Sequence, residues 1–207
     1  MSSFSQLLQL LQLTRSQTQY GYLLSGVPKE KLSDLAQHHY LVTFIGWQMA
    51  LHCQFAGANI NTMQVLEICL VHDLGELFGG DINWFYAKHN PAARKAAKVF
   101  EEENNQFLLQ YFGEQRTHIQ AVIDAAHLCQ TDEARLAKLA DYLECLQYKN
   151  FVNALSATDL DMAVPALYRL IQLMSCPKIQ KSLTNLINDW LKTLDQMPNF
   201  LFFLAKS

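Results

Sequence analysis

Leu66-Glu-Ile-Cys-Leu-Val-His-Asp-Leu-Gly-Glu76 is the stretch that decides how this chain folds. Ile68, Leu70, Val71, Leu74 and Leu77 make it apolar nearly all round, the pattern of a helix buried in a core. Into that helix the sequence sets His72, Asp73 and Glu76. A buried carboxylate without a partner costs on the order of several kcal/mol, so a positive group belongs beside these three. The stretch contains no Lys or Arg, and a metal ion is the economical counter-charge. Neighbouring helical positions diverge by about 100°, so His72 and Asp73 can offer nitrogen and oxygen to two corners of one ion. Glu76 follows at helical spacing on the same face, where it can move a proton without ligating.

A His-Asp pair alone arises often by chance, and its weight comes from its company. Upstream, Leu35-Ala-Gln-His-His39 opens a long helix capped by Ser33 or Asp34 and running to about Phe55. Downstream, Glu133-Ala-Arg-Leu-Ala-Lys-Leu-Ala-Asp-Tyr-Leu-Glu144 sets Asp141 among apolar residues on a helix opened by Thr131, with acidic residues in its first turn. Helical periodicity recurs along the chain and strand alternation is almost absent, which predicts an all-α fold. Further helices are expected over 3–14, over 63–78 with Thr62 as cap and Gly79-Gly80 as stop, and from Asn90-Pro91 to Gly113. Two more are expected over 159–174 and 178–196, each started near a proline. No repeat or long linker divides the 207 residues, so one domain is expected over 1–207.

Composition excludes several classes. Net charge is −3 and the 16 Lys and Arg are scattered, which gives no basic face for nucleic acid. No run approaches the roughly 18 apolar residues of a membrane span. The N-terminus lacks a basic stretch leading into an apolar run, so no secretory leader is expected. The five cysteines are irregularly spaced without a CxxC pair, which points to a reduced, cytoplasmic compartment. Phe200–Leu204 is apolar but short, and is expected to dock rather than span.

These motifs together resemble the HD-domain phosphohydrolases, especially their small 5′-deoxynucleotidase branch. The family order is a GW loop, V-[AS]-[ED]-H, VHD-x-x-E-x-x-x-GD and EA-x-x-x-K-x-x-D-x-x-E. Here it becomes Gly21-Tyr22, Leu35-Ala-Gln-His38, Val71-His-Asp-Leu-Gly-Glu76 with Gly80-Asp81, and Glu133 through Glu144. The resemblance implies a helical HD bundle with a core over about 19–150 and additional C-terminal helices over 151–207. It also implies a divalent metal, one ion per chain, held by His38, His72, Asp73 and Asp141. The mixed N/O set suits Mn, Co, Fe, Zn, Ni or Mg. Glu76 is implied as the acid/base residue and Asp81 as a second, sugar-contacting carboxylate. The implied substrate is a small phosphomonoester, a deoxynucleoside monophosphate by family, and the implied assembly is a homodimer. His39 competes with its neighbour His38 as ligand.

The family pattern breaks at the substrate. Its arginines two residues before the GW and shortly after it become Gln19 and Ser25, while the aromatic survives as Tyr22. Gln19, Tyr22 and Asp81 are therefore the expected substrate contacts, with Lys29, Lys31 or Lys88 as candidates for the missing cation. The usual Glu of the V-[AS]-E-H element is Gln37. The alternatives are a catalytically idle HD domain that binds a nucleotide or other phosphate ligand, and a helical scaffold with the four ligands scattered in space.

Overall fold

The computed structural model describes residues 3–194, so the expected docking segment Phe200–Leu204 lies outside the described residues. Among these, nine α-helices run in the order α1 (Ser3–Leu11), α2 (Leu35–Phe55), α3 (Thr62–Val71), α4 (Trp84–His89), α5 (Pro91–Leu109), α6 (Arg116–Leu128), α7 (Asp132–Phe151), α8 (Ala157–Gln172) and α9 (Pro177–Leu191). No strand occurs among them, as the all-α expectation requires.

Caps fix the helices that carry the site. Asp34 accepts a hydrogen bond from Gln37 N at 2.8 Å and opens α2, while Thr131 accepts from Ala134 N and opens α7. Gln37 Nε2 also reaches back to Asp34 Oδ2, at 2.8 Å. Gln37 thus braces the start of α2 at the surface. Helices α2, α3 and α7 pack mutually, and α2 and α3 meet at a glycine. A β-carbon at Gly46 would lie 2.6 Å from Cys69 Sγ. Any side chain there would push α3 away from α2. One apolar core runs from Leu35 on α2 to Ile187 on α9.

Beyond α1, which gives way to a 3₁₀ turn at Gln12 before Thr14, and α4, which was not expected, the structure departs from the sequence reading in four places. Helix α3 is capped by Asn61 instead of Thr62, and it ends at Val71 instead of Phe78. Asp73 leaves helical geometry at φ −117°, ψ 20°, and a 3₁₀ turn takes over Leu74–Phe78. The apolar run reads alike for both helix types, but Gly75 presses against α5. A β-carbon at Gly75 would sit 2.7 Å from Glu101 O, and its carbonyl accepts from Asn104 Nδ2 at 2.7 Å. Second, α5 stops at Leu109, and a separate helix, α6, follows where none was expected. Third, α8 starts at a capping box in which Ser156 and Asp159 satisfy each other's backbone N–H, and Pro165 lies inside the helix. Fourth, the loop before α2 is partly 3₁₀, over Tyr20–Ser25 and Lys29–Lys31.

Candidate metal centre

Three elements deliver the four expected ligands to one point. His38 comes from the first turn of α2, His72 and Asp73 from the break after α3, and Asp141 from the middle of α7. One ligand atom from each lies within 4.8 Å of all the others. His38 Nε2 stands 3.2 Å from His72 Nε2, 3.5 Å from Asp73 Oδ2 and 3.5 Å from Asp141 Oδ1. His72 Nε2 stands 3.3 Å from Asp73 Oδ2 and 3.9 Å from Asp141 Oδ1.

The far nitrogen of each ring fixes what the near one presents. His72 Nδ1 faces Cys69 O at 2.8 Å, and a carbonyl only accepts, so that nitrogen carries the hydrogen. His38 Nδ1 lies 2.6 Å from Glu144 Oε2 and donates likewise. In neutral imidazoles both Nε2 atoms then direct lone pairs at the point where two carboxylate oxygens also converge. Four acceptors aimed at one point are the chemistry of a cation site, and two nitrogens with two oxygens suit a divalent transition metal.

The electrostatics carry the same signature. Burial works against charge on His38, but contacts with Asp141, Asp73 and Glu144 outweigh it and raise its pKa well above the usual value. Asp73 is driven well below the carboxylate range, with burial opposing and His72 and His38 prevailing. Asp141 is lowered against burial by Lys138, whose Nζ lies 2.7 Å from its Oδ2, and by the histidines. Glu76 goes the other way: burial, then the charges of Asp73, Asp81 and Glu101, raise its pKa well above normal.

Glu76 lines the cavities on both sides of the cluster. One, of about 250 Å³, is also walled by Tyr22, Asp81, Trp84, Tyr142 and Lys149. The other, of about 410 Å³, opens toward Arg94, Lys98 and His127. Asp81 is held by Gly21 N, 2.5 Å from its Oδ2, and a β-carbon at Gly21 would lie 2.6 Å from Asp81 Oδ1. Only glycine permits that approach. Asn83 completes the clasp by donating to Gly21 O at 2.8 Å and Ser25 Oγ at 2.7 Å. Tyr22 is buried, its hydroxyl 3.4 Å from Glu144 Oε2 and its ring packed on Tyr148.

Other expected positions separate. His39 stays outside the cluster although its ring centroid is 5.1 Å from that of His72, and its buried Nε2 has no hydrogen-bond partner. Burial, seconded by His72, lowers its pKa to about 3, so it is neutral. Lys29, Lys31 and Lys88 are exposed and border neither cavity; Lys138 and Lys149 do. Gln19 lines the smaller cavity. His52, His89, His118 and His127 are satisfied elsewhere, by Ser182, the Phe85 carbonyl, Glu67 and Glu101. Glu144 and Lys138 were part of the sequence motif without a role, although both sit three residues from Asp141, one helical turn away. Nothing in the local sequence marks Asn83, whose role depends on a loop sixty residues distant.

Comparison with known proteins agrees with this geometry. The chain is 26% identical over 181 residues to a 5′-deoxynucleotidase of Photobacterium profundum, covering 84% of this chain and 89% of that protein. It is 25% identical over 123 residues to a 5′-deoxynucleotidase of Yersinia pestis, covering 56% of this chain and 62% of that one. Its fold is similar to that of a conserved hypothetical protein from Pyrococcus furiosus, with TM-score 0.66, 23% identity, and coverage of 89% and 96%. A protein from Pyrococcus horikoshii gives TM-score 0.65 at 21% identity, with the same coverage. With residues 14–169 matching the HD domain family, the chain belongs to that family and is a metal-dependent phosphohydrolase.

Proposed function

We propose that this chain is a 5′-deoxynucleotidase, adding water across the P–O5′ bond of a deoxynucleoside monophosphate to give the deoxynucleoside and inorganic phosphate. One divalent ion is held by His38, His72, Asp73 and Asp141. The observation that carries this reading is the convergence of four acceptor atoms beside Glu76, at the end of a cavity walled by Tyr22, Trp84 and Tyr142. The relatives named 5′-deoxynucleotidase support the choice of substrate.

The ion, when bound, supplies positive charge that polarises a phosphoryl oxygen and acidifies water. Glu76 supplies the proton movement. Burial favours its protonated form, and its place on both cavities beside the cluster lets it deliver a proton to the departing 5′ oxygen. Lys138 is bound to Asp141 and borders both cavities, so it provides a cation for the phosphate where the family's arginines have become Gln19 and Ser25. Asp81, oriented by Gly21, accepts a hydrogen bond from the sugar hydroxyl. Tyr22 packs against the sugar.

Phosphate release from a panel of deoxynucleoside and other monophosphates, each with Mn, Co, Fe, Zn, Ni and Mg, tests this reading. Metal-dependent turnover of the deoxynucleotides is expected, and turnover of other esters alone would move the substrate assignment. The replaced arginines favour one alternative, an idle HD domain that binds its nucleotide without hydrolysis. Tight nucleotide binding without phosphate release under every metal would establish it. We further propose a cytoplasmic homodimer. The five free thiols support the compartment, and exposed Tyr40, Phe44 and Trp47 on α2 supply apolar surface for a second copy. Light scattering at micromolar concentration tests the dimer, and a monomer mass would exclude it.

A further inference from the structure

Helix α7 carries the smaller cavity from end to end. Asp141, Cys145 and Lys149 follow one another at four-residue spacing along its wall, so the backbone of Lys149 stands about 12 Å along the axis from that of Asp141. Side chains lean toward the helix N-terminus, which directs Lys149 back over the cavity.

The polar groups here are incompletely used. Asp159, from the first turn of α8, accepts from Ser156 N at 2.9 Å and Ser156 Oγ at 2.7 Å through Oδ2. Its Oδ1 lies 2.5 Å from Lys149 Nζ. Asp159 is therefore fixed and satisfied. Lys149 is only 5% exposed, and beyond this ion pair its Nζ has no hydrogen-bond partner. Gln19, 8% exposed, lines the same cavity with Oε1 buried and unpaired. A buried acceptor without a partner is costly unless a ligand satisfies it, and an ammonium with a single carboxylate partner keeps N–H groups to offer. Tyr22, Trp84 and Tyr142 wall the same cavity, and such faces suit a flat ring. The positive charge of Lys149 is matched by Asp159, so the pair favours a neutral polar edge over a second phosphate.

We infer that Lys149, held by Asp159, and Gln19 form a subsite that reads the hydrogen-bonding edge of a nucleobase. Every nucleobase offers both acceptors and N–H donors on that edge, and an abasic sugar phosphate offers neither. The inference rests on the proposed nucleotide substrate and names the residues that distinguish it from other phosphate esters.

The test compares thymidine 5′-monophosphate with 2-deoxyribose 5-phosphate on the metal-loaded enzyme and its Gln19→Leu and Lys149→Met variants. Wild type is expected to favour the nucleotide in kcat/KM. Each variant should raise KM for the nucleotide by roughly tenfold or more and leave the abasic substrate within about twofold. Equal losses on both substrates would reduce these residues to packing, and an unchanged nucleotide KM would remove them from the site. Lys149→Met strips Asp159 of its counter-charge and carries a folding penalty. Gln19→Leu breaks no ion pair and decides the matter alone if the first variant does not fold. If wild type hydrolyses neither substrate, the proposed function fails separately. Calorimetric binding of thymidine itself then decides the subsite: binding lost in Gln19→Leu upholds it, and binding retained there, or absent from wild type, overturns it.

Discussion

The cluster end of the cavity and the loop end that faces it are held by different kinds of support. His38 and Asp141 project from helices and His72 and Asp73 from the break after α3, and three of the four are fixed by a contact outside the cluster. Glu144 holds one imidazole, the Cys69 carbonyl holds the other, and Lys138 holds Asp141. At the other end, Gln19 to Ser25 is a largely 3₁₀ loop clasped by two residues, Asp81 and Asn83, and two of the three clasping bonds go to backbone atoms of Gly21. Backbone atoms are the same in every residue. A loop held mainly through them can exchange most of its side chains without losing its shape. The cluster has less freedom, because two of its three supports, Glu144 and Lys138, are themselves side chains on one packed helix.

The largest effects should come from the cluster. His72→Ala or Asp73→Ala is expected to take metal content from about one ion per chain to background and to abolish turnover. Elemental analysis measures this, and stoichiometric metal in both variants would dissolve the contrast by showing that the ion sits elsewhere. Glu76→Gln should keep the metal and lower kcat about 10²–10⁴-fold. Full turnover in that variant would assign the proton to another group.

Much of the cluster end is legible in the sequence, and the reason is local. Asp34 and Thr131 are caps, and the helices they open carry His38 and Asp141 in regular phase. Legibility stops where the decisive contact is distant. An apolar run cannot show that α3 breaks at His72, because the break is completed by Gly75 meeting α5. Adjacent histidines cannot be ranked by periodicity alone; what separates them is that His38 faces Glu144, on another helix, while His39 turns aside. Lys29, Lys31 and Lys88 lie near the loops in sequence but not at the cavity, whereas Lys138 and Lys149 reach it from α7.

A smaller effect tests whether the supports matter as argued. Glu144→Gln keeps the size of the side chain and removes its charge, leaving the His38 ring less firmly oriented. Loss of such an outer partner commonly weakens metal binding about 10- to 100-fold. A competitive chelator titration reads the change, and restoration by Glu144→Asp would mark charge as the cause. Unaltered affinity would mean that packing alone orients His38.

The smallest expected effect is at the loop, and it is the sharpest test of the contrast. Gly21→Ala places a β-carbon 2.6 Å from Asp81 Oδ1 and 3.2 Å from its Cγ, so the carboxylate must move. The carboxylate is hydrogen-bonded to the N–H of Gly21 itself, at 2.5 Å, and the same substitution that displaces it weakens that bond. Overpacking of this kind costs about 1–3 kcal/mol. For a chain of this length each kcal/mol lowers Tm by roughly 2–4 °C. Asp81 touches substrate and not the ion in this reading, so KM for a deoxynucleotide should rise several-fold while metal content holds. Calorimetry, elemental analysis and steady-state kinetics on one preparation separate the outcomes. Loss of metal in Gly21→Ala would show that the loop and the cluster are a single mechanical unit. An unchanged KM would show that the clasp shapes the loop without bordering the substrate.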